Sequence, residues 1–185
     1  MEPILHGIIL AFGLILPLGV QNVFIFSQGV MQPSVMKAMP ATITAAICDT
    51  LLILLAGLGL SIIVLQFEVI RFMLLIGGIL FLIYIGFVIW RSDAATFEDK
   101  EALPMKKQII FALSVSLLNP HAILDTVGVI GTNAVKYNGQ EQWYFLCACI
   151  VVSWLWFFSL MLTGAMIKKV HISPSMFSVF NKVSA

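Results

Sequence analysis

Residues 143–167 read WYFLCACIVVSWLWFFSLMLTGAMI, a run that contains no Asp, Glu, Lys or Arg. A helix needs about 20 consecutive apolar residues to cross a bilayer, so this stretch predicts a membrane-spanning helix. Four similar runs precede it, and together they predict an all-α, polytopic transmembrane helix bundle. The five predicted spans are Ile4–Phe26, Met39–Leu65, Val69–Trp90, Ile109–Ala134 and Trp143–Ile167.

The composition of the whole chain agrees with this prediction. Of 185 residues, 61% are hydrophobic and 10% are charged, whereas ordinary soluble domains carry about 25% charged residues. The net charge is +1, and basic residues occur at most in adjacent pairs, which argues against a nucleic-acid partner. The N-terminus lacks the basic region of a signal peptide, so the run from Ile4 is interpreted as the first span.

The distribution of basic residues predicts the orientation in the membrane. If the spans alternate, one side receives only Arg71 and Lys136. The opposite side receives Lys37, Arg91, Lys100, Lys106, Lys107, Lys168, Lys169 and Lys182. Basic residues accumulate on the cytoplasmic side of membrane proteins. The sequence therefore predicts a multi-pass membrane protein with its N-terminus outside and its C-terminus in the cytoplasm.

Two halves of the chain resemble each other. Residues 16–22 read LPLGVQN in the first span, and residues 119–125 read NPHAILD in the fourth. The two segments lie three spans apart along the chain, in the first and fourth spans, so the halves have opposite orientations, which is typical of transporters with inverted repeats. We expect one transporter domain over residues 1–185, with repeat 1 at about 1–91, a cytoplasmic linker at 92–107 and repeat 2 at about 108–185. A complete 3+3 fold has six spans, so a further helix is expected after the fifth.

Each repeat segment carries a proline close to an asparagine, namely Pro17 near Asn22 and Pro120 beside Asn119. A proline inside a helix leaves a backbone carbonyl without its usual donor. In a membrane such a carbonyl is tolerated where it meets protein or lines a wet cavity. One proline alone would be read as an ordinary kink. Two at matched positions predict that both breaks face the interior of the bundle.

Two acidic residues lie inside predicted spans, Asp49 and Asp125. An aspartate at the centre of a bilayer costs about 2.5–3.5 kcal/mol on insertion scales, and neither span has an interior Lys or Arg. Asp49 lies roughly 15 Å into its span and Asp125 roughly 24 Å. Asp49 also continues a row of small residues, Ala41 and Ala45, which permits close approach of a neighbouring helix. We favour binding of a cation or a proton, and a structural hydrogen bond is the alternative.

Two further polar residues belong to the candidate site. His121 lies four residues before Asp125, on the same helical face, where it either relays protons or simply caps or packs after the proline. Gln21 has amide donors and an acceptor that suit the carboxylate or amino group of a small substrate. The candidate substrate- or proton-binding residues are Pro17, Gln21, Asn22, Asp49, Asn119, Pro120, His121 and Asp125.

The chain resembles the LysE family of amino-acid exporters, and specifically its lysine/arginine-exporting branch. The resemblance rests on residues 16–22, the Cys48-Asp49 pair, residues 118–121 with 124–126, and residues 153–158. It implies a secondary transporter of the bacterial cell (inner) membrane that exports small amino acids, namely basic ones (lysine or arginine), by proton-coupled alternating access. The family usually has proline where this chain has Val20, and it usually continues into a sixth span.

Two other functional classes compete with this prediction. A membrane thiol-relay oxidoreductase would need paired cysteines in the first and fourth spans, and the three cysteines, Cys48, Cys147 and Cys149, lie elsewhere. An intramembrane hydrolase would need converging catalytic or metal-binding residues, and the histidines show no such spacing. The sequence therefore predicts no enzyme, no cofactor and no metal site. Its expected partners are an amino acid, protons and membrane lipid, and it carries no signal for an oligomeric state.

Overall fold

The computed structural model describes residues 1–17, 19–60 and 102–169, together with isolated positions between residues 69 and 83. In this part of the chain all regular structure is helical, which confirms the predicted all-α class. The helices are α1 (Glu2–Ile15), α2 (Val20–Met31), α3 (Val35–Leu55), α4 (Met105–Leu117), α5 (Pro120–Asp125), α6 (Thr132–Ala134) and α7 (Gln140–Lys169). Wider, π-helical turns extend α3 over Ala56–Leu60 and join α5 to α6 over Thr126–Gly131.

Two of these helices are long and apolar enough to cross a membrane. They are Val35–Gly59, with a mean hydropathy of 2.0, and Gln140–Lys168, with a mean hydropathy of 2.3. The pair α1 and α2 is bent by 81° and makes a third candidate if it counts as one span. Most of the predicted third span, Val69–Trp90, lies outside the described residues. The count of five spans and the inverted repeat therefore stay predictions.

The long helix α7 is the centre of the described bundle, where it packs against α1, α2 and α3. One core cluster joins it to α2 and α3 through Ile25, Ala45 and Phe157. A second joins it to α1 and to the end of α3 through Ala11, Ile53 and Cys149. A helix that is apolar on every side is covered by other helices or by lipid. The other described helices cover only part of α7 and leave apolar residues such as Val151 and Leu155 exposed.

The predicted limits of the spans need correction. The first, Ile4–Phe26, is two helices that begin at Glu2 and reach Met31, and the second begins at Val35 instead of Met39. The fourth begins at Met105, inside the predicted linker 92–107, and is divided at residues 118–119. The fifth extends beyond Trp143–Ile167 at both ends. Hydropathy follows apolar side chains, whereas these helices continue through polar residues. Some of these, such as Lys106 and Glu141, are exposed, and others, such as Gln28 and Gln108, are buried.

A buried cluster of glutamines shows how those polar helix ends are stabilised. Gln28 on α2, Gln32 directly after the end of α2 and Gln108 on α4 are 1%, 3% and 1% exposed. The Gln32 amide donates to Gln28 Oε1 at 3.1 Å and to the Leu103 carbonyl at 2.9 Å. The Gln108 amide donates to the carbonyls of Leu103 at 2.8 Å and Lys37 at 3.0 Å. These bonds fasten the residues before α4 to the turn between α2 and α3.

Candidate functional site

The first helix break contains Pro17, between the end of α1 at Ile15 and the start of α2 at Val20. The last carbonyls of a helix have no partner inside it. Here the Asn22 side chain supplies one, since its Nδ2 donates to Ile15 O at 2.9 Å and to Pro17 O at 3.1 Å. Asn22 is 6% exposed. Because both amide hydrogens are used on the backbone, Asn22 fixes the break and has only its Oδ1 left for a ligand.

The second break lies at Leu118 and Asn119, between α4 and α5. The Leu118 N–H still donates to the Ser114 carbonyl at 2.9 Å, and α5 then begins at Pro120. Proline suits the first position of a helix, where its missing N–H would have had no partner. The two prolines are thus placed differently, because Pro17 lies inside its break whereas Pro120 starts the helix that follows.

Both breaks border one cavity of about 330 Å³. Six of the predicted site residues line it, namely Pro17, Gln21, Asn22, Asp49, Asn119 and Asp125. Pro120 and His121 belong to α5, but their side chains lie outside the described part of the structure. The cavity volume is at the lower end of the range for small-molecule sites, about 300–1,000 Å³, so the space suits a ligand of amino-acid size.

The cavity wall is acidic. Asp49 enters it from α3 and Asp125 from α5, and none of the described residues that line it is Lys or Arg. Carboxylates in an environment of low dielectric interact strongly with a cation that enters it. The remaining wall is largely apolar, with Ala11, Ile53 and Phe157 among its residues. A small solute with a cationic group fits this distribution of charge.

Asp49 faces a neighbouring helix. The two alanines one and two turns before it, Ala45 and Ala41, are fully buried, as the row of small residues predicts. The Asp49 carboxylate accepts a hydrogen bond through Oδ2 from the hydroxyl of Ser153 on α7. Ser153 also lines the cavity, and the predicted site did not include it. The available signal was its polarity within an otherwise apolar stretch of the last span.

Gln21 provides an unsatisfied donor at the cavity wall. Its Nε2 is buried and has no hydrogen-bond acceptor among the described residues. A buried donor without a partner costs about 1–3 kcal/mol, so a ligand that accepts from it gains that much. Gln21 lies in the first turn of α2, whose N-cap is Gly19, a residue without a side chain to cap the helix. Gly19 and Val20 also line the cavity, so the partly positive N-terminal end of α2 borders it.

Known proteins show clear sequence similarity to this chain. The profile of the family described as LysE type translocator matches residues 12–185. The chain is 52% identical to YisU of Bacillus subtilis (strain 168), named as a candidate amino-acid transporter, over 100% of this chain and 84% of YisU. It is 32% identical to the arginine exporter proteins ArgO of Enterobacter sp. (strain 638) and of Escherichia coli (strain K12), over 86% of this chain and 77% of each relative. No solved structure matches the chain significantly.

Proposed function

The chain belongs to the LysE-type translocator family, and on that premise we propose that it exports lysine or arginine by proton-coupled alternating access. Family membership makes it a membrane transporter and not an enzyme. The thiol-relay and hydrolase alternatives are thereby set aside. What the proposal adds is the charge of the substrate, the coupling ion and the residues that bind them.

The observation that carries the proposal is that two carboxylates, Asp49 and Asp125, line one cavity. Burying an ionised carboxylate is costly unless a counter-ion accompanies it. A side-chain ammonium or guanidinium supplies that counter-ion during export, and a proton supplies it on the return. Two relatives are named as arginine exporters, which supports a basic substrate.

The other end of the substrate also has a partner of suitable chemistry. The α-carboxylate of an amino acid would accept from Gln21 Nε2, which has no acceptor among the described residues. It would lie at the N-terminus of α2, where backbone N–H groups and the helix dipole favour an anion. Broken helices in transporters present their N-termini to substrate carboxylates in this way. The site thus recognises both charges of a basic amino acid.

Efflux of radiolabelled arginine and lysine from cells that express the chain tests this function. We expect efflux of both, or of one, above that of cells without the protein, and dissipation of the proton gradient should reduce it. Efflux of neutral amino acids alone would contradict the proposed substrate class. Efflux of arginine that does not depend on the proton gradient would contradict the proposed proton coupling but not the proposed substrate class.

We propose that the N-terminus lies outside the cell and the described end of α7 lies in the cytoplasm, on the strength of the eight-to-two distribution of basic residues. Reporter fusions at Lys100 and Lys136 check this arrangement. A fusion at Lys100 is expected to report the cytoplasm, and one at Lys136 the exterior. The opposite pattern would contradict both the topology and the opposed orientation of the two repeats.

Asp125→Asn is expected to weaken export or change its pH dependence without ending it. Asp125 lies farther along its predicted span than Asp49, toward the exterior, where we assign it to release of the cation. An amide still binds by hydrogen bonds but does not attract the cation by charge. Initial rates of arginine efflux at several external pH values measure the effect. Glu141→Gln, which removes an exposed carboxylate at the start of α7, is the control for the loss of one negative charge. Unchanged rate and pH profile would remove Asp125 from the cycle.

A further inference from the structure

Ser153 is the feature of the cavity that the proposed function has not used. It lies on α7, it is 1% exposed, and its hydroxyl donates to Oδ2 of Asp49 on α3. Both residues line the cavity. A hydrogen bond between two helices can serve to hold the helices together, or it can serve to control one of its partners. The surroundings of this bond distinguish the two.

A second bond joins the same helices one residue further along each. Trp154 Nε1 donates to Thr50 Oγ1 at 2.9 Å, and the Thr50 hydroxyl donates to the Ala46 carbonyl at 2.7 Å. Trp154 is also stacked on Phe158, with ring centroids 6.1 Å apart. This link fixes the register of α3 against α7 without Asp49. The register of the two helices therefore does not depend on the Ser153 bond alone.

The environment of Asp49 indicates how the bond from Ser153 affects the charge of the carboxyl group. Its neighbours Ala45 and Ala46 are fully buried and apolar. The titratable groups that face it are Cys48 on its own helix, Cys149 on α7 and Asp125 across the cavity. None of these is a cation, and Ser153 is the described side chain that donates to the carboxylate. A donor favours the ionised form of an acid over the protonated form.

The hydroxyl also suits a carboxyl group that changes its charge. A serine hydroxyl is one donor and two acceptor sites, and its hydrogen rotates to suit its partner. It donates to the ionised carboxylate, and it accepts from the protonated acid after rotation. An alanine could do neither, and a backbone N–H could only donate.

We propose that Ser153 is the positioning residue of Asp49. It holds Oδ2 against α7, leaves Oδ1 for the ligand, and sets the pH range over which the carboxylate exchanges a proton for the substrate. The link between this range and transport rests on the proposed function, whereas the effect of Ser153 on Asp49 does not. The test therefore has one arm that needs no transport.

The first arm measures protonation of Asp49 directly. Dicyclohexylcarbodiimide reacts with protonated carboxyl groups in membranes, and mass spectrometry of the purified full chain gives the labelled fraction of Asp49 at each pH. In Ser153→Ala the labelling is expected to persist to a pH about one unit higher, which is the order of effect of one hydrogen bond to a charged group. Asp49→Asn identifies the labelled peptide.

Two variants control for structure. Ser153→Thr keeps the hydroxyl and should restore the labelling profile of the wild type. Ser159→Ala removes a hydroxyl from the same helix, where it bonds to the Trp156 carbonyl at 2.7 Å, and should leave that profile unchanged. A lower thermal stability of Ser153→Ala with an unchanged labelling profile would overturn the proposal and leave Ser153 a purely structural residue.

The second arm follows exchange of labelled arginine in proteoliposomes with equal pH on both sides. Equal pH removes the driving force, so the profile reflects binding and protonation alone. The pH of half-maximal exchange is expected to move upward in Ser153→Ala by the same amount as the labelling. No exchange by the wild type would contradict the proposed function but not the first arm. A labelling shift without a shift in exchange would contradict the role of Asp49 protonation in transport.

Discussion

Asp49→Asn is expected to reduce export of arginine and lysine to the level of cells that lack the protein. In the proposed cycle this carboxyl group binds the cation in one state and a proton in the other. An amide neither ionises nor carries a proton. Both legs of the cycle are therefore lost together, and no change in substrate concentration should restore them.

The structure indicates that this substitution removes the charge but keeps the packing around residue 49. Asparagine has nearly the shape of aspartate, and its Oδ1 can still accept from the Ser153 hydroxyl, which donates to Asp49 in the native protein. The fully buried alanines on the same face, Ala41 and Ala45, are untouched. The helix contacts should persist, so lost export would reflect the lost charge and not a lost fold.

Initial rates of efflux and resistance to a toxic arginine analogue measure the result, with the amount of protein in the membrane determined alongside. Asp49→Glu is the matched control, because it keeps an ionisable group and should retain part of the export. Export at the wild-type rate by Asp49→Asn, at normal abundance, would show that the carboxyl group is structural. The exchange mechanism would then have to be abandoned.

Gly29→Ala and Gly164→Ala are each expected to lower the thermal stability of the protein markedly. The two glycines lie where α2 crosses α7. A Cβ at Gly29 would come 2.2 Å from the Met161 carbonyl oxygen, and one at Gly164 would come 2.3 Å from the Phe26 carbonyl oxygen. The obstacles are backbone atoms, which cannot rotate away as a side chain could. The helices must separate instead.

Overpacking of this kind costs about 1–3 kcal/mol, which corresponds to a fall in Tm of about 2–12 °C for a chain of this size. Export should fall as well, since α2 supplies Gln21 to the cavity and α7 supplies Ser153. Thermal unfolding in detergent, followed by size-exclusion chromatography, measures the stability. The double variant should cost less than the sum of the single ones, because the two sites are in contact.

Gly13→Ala is the matched control for these variants. Gly13 also lies in a helix, but a Cβ there would meet no atom within 4 Å. Alanine is a better helix former than glycine by about 1 kcal/mol, so this variant should be neutral or slightly stabilising. Equal stabilities of Gly13→Ala, Gly29→Ala and Gly164→Ala would show that the crossing is not close-packed.

The comparison of sequence and structure is clearest at residues 16–22. The presence of Pro17 predicts a break in the first span, and the structure has one, with a bend of 81°. Asn22 is one of the predicted site residues; it lines the cavity, and its amide donates to the carbonyls of Ile15 and Pro17. The residue types indicated that polar side chains have a role in this stretch. Which partner each polar atom takes depends on the path of the backbone through the break.

By itself, the sequence determined that this protein lies in a lipid membrane and which of its polar residues are costly to place there. Long apolar runs require a lipid environment, and Asp49, Asp125 and Gln21 attract notice because each is expensive there. Hydropathy and charge are properties of single residues in a uniform lipid environment. They can be judged without knowing which residues contact each other. Resemblance along most of the chain then indicated the family.

Only the tertiary structure decided which residues meet. Ser153 lies 104 positions from Asp49, and Gly164 faces α2 from the other end of the chain, with no local pattern that marks either. The glutamine cluster likewise joins α2 to α4 across residues far apart in sequence. Contacts of this kind follow from how helices cross, and crossing depends on all of their side chains at once. The cavity exists because α1, α2, α3, α5 and α7 converge around it, which no single stretch of the chain specifies.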